Sequence, residues 1–277
     1  MKTSIALGTF DGVHKGHRAV LDLPRDSKKI AVSFKIPPKA VLTGQVSMLT
    51  TAKDKCRILK ELGIDETVLL DFGIVREWEP KEFLEFLKEK YNPAFISCGF
   101  NYRFGKHGGG NAQMLGEFCQ KNKIEFCCHE MITENGQTVS SSRIRELLNE
   151  GKIKEANSML FEPFCFEGEV IAGDKRGRTM GFPTVNQRYP EELVKLKFGV
   201  YKTKINFDDK EYFGVTNIGV RPTFKSDYII SETFIKDFCG DLYEKKIKIT
   251  PMEFLREEKK FSTLEEMIKQ IESDINS

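Results

Sequence analysis

The sequence predicts an α/β protein in two parts: a parallel β-sheet with helices, followed by an antiparallel β-barrel or sandwich with a terminal helix. In residues 1 to about 160, short apolar runs alternate with helical patterns, which is typical of a parallel sheet. Beyond that point the apolar runs shorten and alternate with polar residues between Gly, Pro, Asn and Asp, which is typical of antiparallel strands. With 277 residues, the chain is long enough for two domains, predicted at 1–158 and 159–277.

Five short apolar runs predict the strands of the first half. They are Ser4–Leu7, Ile30–Phe34, Thr67–Phe72, Ala94–Cys98 and Ile124–Cys128. Between them, Thr51 can cap a helix that runs to about Leu62, Pro80 opens a second helix, and residues 112–121 form a third. The alternation predicts a parallel sheet, which binds ligands beyond the carboxyl ends of its strands.

Alternating segments predict the strands of the second half, and a capped apolar stripe predicts the last helix. Strand patterns occur at Phe166–Ile171, Tyr201–Ile205 and Lys246–Ile249. Ser262 and Glu265 have capping-box spacing before an apolar face. That face comprises Leu264, Ile268, Ile271 and Ile275.

Composition excludes several classes of function. With 43 basic and 41 acidic residues the net charge is +2, so no nucleic-acid or membrane partner is expected. No apolar stretch is long enough for a signal peptide or a membrane helix, and we expect a cytoplasmic protein. The seven cysteines lack the spacing of a disulfide framework and are expected to be thiols; Cys127-Cys128-His129 leaves a metal site as the alternative.

The loop Gly8–His17 (GTFDGVHKGH) is the most informative segment. It follows the first strand, and Arg18 can start a helix, so glycine amides and two imidazoles would converge where an anion is favoured. The alternative is an ordinary strand-to-helix turn with two surface histidines. The pair His14 and His17 around Gly16 favours the phosphate site.

This loop resembles the His-x-Gly-His motif of nucleotidyltransferases, and its longer form looks most like the bacterial bifunctional riboflavin kinase and FAD synthetase family. Two further segments match that family: Gly99–Gly105 and Val139–Arg145, although the second could be a simple helix cap. The resemblance implies a Rossmann-like nucleotidyltransferase domain in which His14 and His17 are catalytic, stabilising charge rather than attacking. It implies that nucleotide and phosphate are bound by Gly8, Phe10, Asp11, Gly16, Asn101, Ser141, Ser142 and Arg145.

The second site is predicted in the glycine-rich, basic loop Gly173–Asn186 (GDKRGRTMGFPTVN). Taken alone, it could be a mobile hairpin tip, but its Gly-Phe-Pro-Thr-x-Asn core resembles the riboflavin kinase loop of the same family. There Thr184 and Asn186 would hold Mg²⁺ and ATP phosphates, and Glu232 would be the catalytic base on the riboflavin 5′-hydroxyl. The other residues implied in nucleotide or flavin binding are Gly173, Lys175, Gly177, Arg178, Gly181, Pro183, Asn217, Arg221 and Arg256.

The resemblance covers the whole chain and implies that it phosphorylates riboflavin with ATP to FMN, then adenylylates FMN with ATP to FAD. The small molecules riboflavin, FMN and ATP are the partners, with Mg²⁺ as cofactor. Two alternatives stay open: an adenylyltransferase whose barrel only senses flavin, and a His-x-Gly-His enzyme for another phosphorylated acceptor. The chain departs from the family pattern at Pro24, at residues 33–38 (SFKIPP), which lack a histidine, at residues 161–164 (FEPF) and at Phe234.

Overall fold

The computed structural model describes residues 2–134, 136–171, 182–221, 228–238, 240–259 and 261–276. They form two compact units: Met1–Arg143 with Met159–Glu162, and Ile144–Ser158 with Pro163–Ser277. The division between the units falls within one helix, Ser141–Asn149, whose first three residues belong to the first unit. Each unit has its own sheet and its own core.

The first unit is a five-stranded parallel sheet covered by helices. Its strands are β1 (Lys2–Leu7), β2 (Ser27–Phe34), β3 (Glu66–Leu70), β4 (Pro93–Gly99) and β7 (Glu125–His129), with two small hairpins, β5 (Arg103–Phe104) with β6 (Gly110–Asn111) and β8 (Thr133–Glu134) with β9 (Gln137–Thr138). Its helices are α1 (Arg18–Leu21), α2 (Pro38–Thr43), α3 (Ala52–Glu61), α4 (Phe72–Val75), α5 (Pro80–Tyr91) and α6 (Ala112–Lys121). Two helices follow, α7 (Ser141–Asn149) and α8 (Ile153–Met159).

The strand order β3-β2-β1-β4-β7 explains where a ligand can bind. The chain builds outward from β1 to β2 and β3, then returns to β4 on the other side of β1. The order therefore reverses between β1 and β4, and the loops that leave these two strands diverge around a crevice. Alternate residues of β1 serve the two cores: Ile5 and Leu7 pack on one face and Ala6 on the other.

The second unit is a closed six-stranded barrel. Its elements are β10 (Phe166–Ile171), β11 (Thr184–Arg188), β12 (Gly199–Phe207), β13 (Lys210–Arg221), β14 (Tyr228–Ile235), β15 (Lys246–Arg256) and α9 (Leu264–Asn276). The order is β10-β11-β14-β13-β12-β15, and the pairing is antiparallel. Inside it, the hydroxyls of Thr203, Thr216 and Thr233 form a ladder with 2.9 Å between neighbours, so buried polar atoms are satisfied.

The predicted fold class is confirmed, with two local corrections. The sequence alone left barrel and sandwich open, and the structure is a closed barrel. The third strand was expected to reach Phe72 but ends at Leu70, because the Asp71 carboxylate accepts a hydrogen bond from Gly73 N at 2.8 Å and starts α4. The last helix is capped by Thr263, whose hydroxyl accepts from Glu266 N at 3.2 Å, and not by Ser262.

Candidate active sites

The loop Gly8–His17 leaves β1 with an unusual backbone. Phe10 and Val13 have φ of 45° and 40°, in the left-handed region that side chains other than glycine rarely adopt, and both side chains are fully buried. A Cβ on Gly8 would lie 2.9 Å from the Phe10 ring, so glycine lets the loop fold back over this ring. Such strain persists only where the surrounding structure holds the loop.

The two histidines of the loop stack on each other. Their ring centroids are 3.6 Å apart, and the Phe10 ring meets His17 edge-on at 5.2 Å. The backbone N–H of His14 donates to Nδ1 of His17 at 3.2 Å, so a neutral His17 carries its proton on Nε2. Burial, the neighbouring His14 and then Lys55 lower the pKa of His17 well below its usual value. The structure therefore favours a neutral His17 with Nε2–H as donor.

Residues 49–55 hold the loop Gly8–His17 in place through hydrogen bonds. The Asp11 carboxylate accepts hydrogen bonds from Leu49 N at 2.9 Å and Thr50 N at 3.4 Å, and Thr50 Oγ1 accepts from Gly12 N at 3.2 Å. The ammonium of Lys55, only 1% exposed, donates to the Thr9 carbonyl at 3.0 Å. Sequence reasoning missed Lys55, although it shares the buried face of α3 with Ile58 and Leu59 at helical spacing.

Only some of the other predicted residues meet the loop. Ser141, at the start of α7, donates to the Asp11 carbonyl at 2.9 Å. Asn101 is exposed and follows β4, across the crevice from β1. Ser142 is exposed in the first turn of α7, whereas Arg145 belongs to the second unit. Gly16 packs against the His14 ring, since a Cβ there would lie 2.9 Å from His14 Nδ1.

The segment Met159–Glu162 closes the loop from the outside. Leu160 forms an antiparallel bridge with His14, and Phe161 N donates to the Val13 carbonyl at 3.3 Å. Arg57 on α3 fixes this segment through two hydrogen bonds to the Glu162 carboxylate, at 2.8 and 2.7 Å. Glu162 is one of the positions at which the sequence departs from the family pattern, and Arg57 supplies its charge partner.

In the barrel, neighbouring strands bring the predicted polar residues into one row. Asn186 on β11 and Asn217 on β13 both lie opposite Glu232 on β14, and residues opposite each other project from the same face. Thr184, two residues before Asn186, donates its hydroxyl to Glu232 Oε1 at 2.9 Å. The amide of Asn217 donates to Glu258 at 2.9 Å, which leaves its buried Oδ1 without a hydrogen-bond partner among the described residues.

Three members of this row, Thr184, Asn217 and Glu232, line a cavity of about 340 Å³. Thr184, Asn217 and Glu232 give it a polar side, and Met267 and Ile271 from α9 give it an apolar one. Arg256 also contacts the cavity, and its guanidinium binds Asp274 of α9 at 2.7 Å, so it fixes the helix that forms the apolar wall. A cavity lined by both polar and apolar side chains suits a flat ring system with a hydroxylated side chain.

The remaining predictions in the barrel are placed in part. Pro183 is exposed just before β11, and Arg221 ends β13 opposite Tyr228. The predicted Gly173, Lys175, Gly177, Arg178 and Gly181 lie outside the described residues. Within the described ranges there is no cluster of three or more His, Cys, Asp or Glu that could hold a metal ion.

Known proteins with both kinds of unit are similar to this chain. Residues 1–143 match the FAD synthetase family model and residues 160–277 match the riboflavin kinase model. The bifunctional riboflavin kinase/FMN adenylyltransferase of Listeria monocytogenes is 35% identical over 98% of this chain and 89% of its own length. The proteins of the same name from Bacillus subtilis and Escherichia coli are 32% and 30% identical, over 99% and 98% of this chain and 90% of theirs.

A crystal structure of a macrolide-efflux protein from Streptococcus pneumoniae is also similar, with a TM-score of 0.90, 26% identity and coverage of 99% of this chain and 92% of that one. In the part of this chain that the structure describes, no helix is both long and apolar enough to span a membrane. The two family models match different halves of the chain, and the near full-length relatives carry both activities in their names. The chain therefore belongs to the family of bifunctional riboflavin kinase/FMN adenylyltransferases, as a flavin-synthesising enzyme with FAD synthetase residues first and riboflavin kinase residues second.

Proposed function

We propose that the two reactions take place in separate domains: residues 159–277 phosphorylate riboflavin, and residues 1–158 adenylylate the resulting FMN. The observation that carries this division is the separation of the two sets of polar groups. Glu232 and Thr184 lie together in the barrel unit, whereas His14 and His17 stack in the parallel-sheet unit. A carboxylate suits removal of a proton from a hydroxyl in the kinase reaction, and imidazoles suit stabilisation of phosphate charge in the adenylyltransferase reaction.

In the kinase reaction, Glu232 acts as the general base. The riboflavin 5′-hydroxyl oxygen attacks the γ-phosphorus of ATP, its proton passes to the Glu232 carboxylate, and ADP leaves. The hydrogen bond from Thr184 holds that carboxylate at the polar side of the cavity. Asn217 Oδ1, buried without a hydrogen-bond partner among the described residues, is available to accept a hydrogen bond from the flavin or its ribityl chain. Arg256 keeps α9 in place as the apolar wall.

The row of residues around Glu232 also fits Mg²⁺. Thr184 Oγ1 and the Asn186 side-chain oxygen are hard ligands two residues apart on β11, and so on one face of it. Mg²⁺ takes few protein oxygens and completes its shell with water and substrate phosphates. When bound, the ion would neutralise charge on the transferred phosphate. We propose Thr184 and Asn186 as its protein ligands.

In the adenylyltransferase reaction, the histidine loop stabilises charge. A phosphate oxygen of FMN attacks the α-phosphorus of ATP, and pyrophosphate leaves without a covalent enzyme intermediate. His17 offers Nε2–H as a neutral donor to a phosphate oxygen, since burial lowers its pKa. Ser141 is already tied to the loop through Asp11. Asn101, Ser142 and Arg145 are proposed to complete the nucleotide site.

The alternative, an adenylyltransferase with a flavin-sensing barrel, has less support. A sensor needs the cavity but no base, whereas Thr184, Asn186 and Glu232 lie on one face of adjacent strands. We also propose a cytoplasmic location, where ATP is available and a reducing environment keeps cysteines as the free thiols seen at the six described positions.

A time course tests the proposal. The purified chain is incubated with ATP, Mg²⁺ and riboflavin, and the flavins are separated by chromatography. We expect FMN to appear before FAD. FAD formed from supplied FMN without phosphorylation of riboflavin would favour the sensor alternative, and no reaction with either flavin would contradict the proposed function.

A further inference from the structure

A buried lysine lies beneath the histidine loop. The ammonium of Lys55 donates to the Thr9 carbonyl at 3.0 Å, the Phe34 carbonyl at 2.9 Å and Ser33 Oγ at 3.4 Å. All three acceptors are neutral, and Lys55 forms no ion pair with a carboxylate among the described residues. The ammonium is therefore hydrogen-bonded to neutral dipoles and not to a carboxylate.

A buried ammonium carries a desolvation penalty in free energy. Burial lowers the pKa of Lys55, and the nearby Asp11 only partly opposes this effect. The Asp11 carboxylate is itself engaged by the amides of Leu49 and Thr50. A buried charge with no paired carboxylate creates a positive potential around it, and this potential is strong because the medium is weakly polar.

The potential lies where the proposed substrate carries negative charge. Lys55 contacts Thr9 within the loop, and its charge is felt at His17, whose pKa it helps to lower. The helix that follows the loop, α1, has four residues, so its dipole contributes little to binding an anion. Side-chain charge such as that of Lys55 therefore adds to the small attraction that α1 provides.

We propose that Lys55 is a positioning residue of FAD synthesis: its ammonium seats the loop through the Thr9 carbonyl, and its charge draws the pyrophosphate part of the substrate onto His14 and His17. This proposal rests on the proposed adenylyltransferase function of the first unit. Lys55 acts on the pyrophosphate group of the substrate, and not on the adenosine or the flavin.

The test uses Lys55→Gln, which keeps a hydrogen-bond donor but removes the charge, with Lys55→Arg as the charged variant and Lys60→Gln on the exposed side of the same helix as control. The reverse reaction, FAD with pyrophosphate to FMN and ATP, is measured with the full chain. We expect Lys55→Gln to raise KM for pyrophosphate about tenfold or more and to change KM for FAD by less than about threefold. Lys55→Arg should have a KM for pyrophosphate close to that of the wild type, and Lys60→Gln should have the wild-type value.

Folding of the first unit is followed independently through Trp78, the only tryptophan, which packs against its core. If Lys55→Gln loses the thermal transition of Trp78 fluorescence, the same kinetics are measured on Lys55→Met. If Lys55→Met is also unfolded, they are measured on Lys55→Arg, which must then keep the wild-type KM for pyrophosphate. An unchanged pyrophosphate KM in a folded, uncharged variant, or an equal rise in both KM values, overturns the proposal. If His14→Ala retains full FAD synthesis, the proposed function of the loop fails instead, which separates the two ideas.

Discussion

The two candidate sites are built in different ways. In the first unit, His14 and Asp11 are 7% and 1% exposed and the loop is held by backbone and side-chain hydrogen bonds from α3, α7 and residues 159–162. In the barrel, Glu232 is exposed on a strand face, and a 2.9 Å hydrogen bond from Thr184 orients its carboxylate beside an open cavity.

The contrast fits the reaction that we propose for each site. Adenylyl transfer needs charge stabilisation at fixed positions, and in the proposed site a strained, buried loop would supply it without reorganisation. Phosphorylation of a hydroxyl needs a base that the substrate can reach, and strand register places the proposed base, Glu232, accurately while leaving it accessible. The first site is thus sensitive to changes in its supports, and the second mainly to changes in the reacting groups themselves.

The largest expected effect comes from Glu232→Gln. Removing the base should lower FMN formation about a thousandfold, because general base catalysis commonly contributes between a hundredfold and ten-thousandfold. FAD formation from supplied FMN should be unchanged, as measured by chromatography of the flavins. Glu211→Gln, an exposed surface residue paired with Lys204 in the same barrel, is the control. Loss of both activities in a folded Glu232→Gln protein would show that the sites are not independent.

His14→Ala should do the opposite. FAD formation from FMN is expected to fall about a hundredfold, since one charge-stabilising group is lost, while FMN formation from riboflavin persists. His107→Ala removes an exposed histidine of the same unit and should leave both rates unchanged. A normal rate of FAD formation in His14→Ala would remove the main distinction between the two sites.

The sequence predicted the row of polar residues in the barrel better than the residues that hold the histidine loop in place. Thr184 and Asn186 alternate on one strand, so their shared face follows directly from strand periodicity. Lys55 and Arg57 could not be assigned in this way, because their roles depend on loops far away in sequence: Lys55 reaches Thr9 and Arg57 reaches Glu162. Local patterns determine a strand face, whereas the supports of a loop depend on tertiary packing.

Asp274→Asn tests whether a support also matters in the barrel. The Asp274 side chain is 7% exposed and binds Arg256, so its replacement leaves a partly buried guanidinium with a weaker partner. We expect a loss of about 2 kcal/mol in the free energy of unfolding of the barrel unit and a higher KM for riboflavin, because α9 carries the apolar wall. Asp241→Asn, at an exposed position of the same unit, is the comparison; a riboflavin KM equal in the two variants would mean that α9 is not part of the flavin site.

The smallest expected effect concerns pH and the supports of the first site. His17 has a lowered pKa in the folded chain, mainly through burial, so on acidification the unfolded chain takes up a proton near pH 6.5 while folded His17 stays neutral. The free energy of unfolding of the first unit should therefore fall as pH drops below about 6.5, by at most about 1.4 kcal/mol per pH unit for this one group, until the folded pKa is reached. Denaturant unfolding followed by Trp78 fluorescence at several pH values measures this, and His17→Gln should flatten the dependence while His107→Gln should not. If the free energy of unfolding depends on pH in the same way for wild type and His17→Gln, His17 is not held neutral by its surroundings. The first site would then resemble the barrel site, with its key group in contact with solvent.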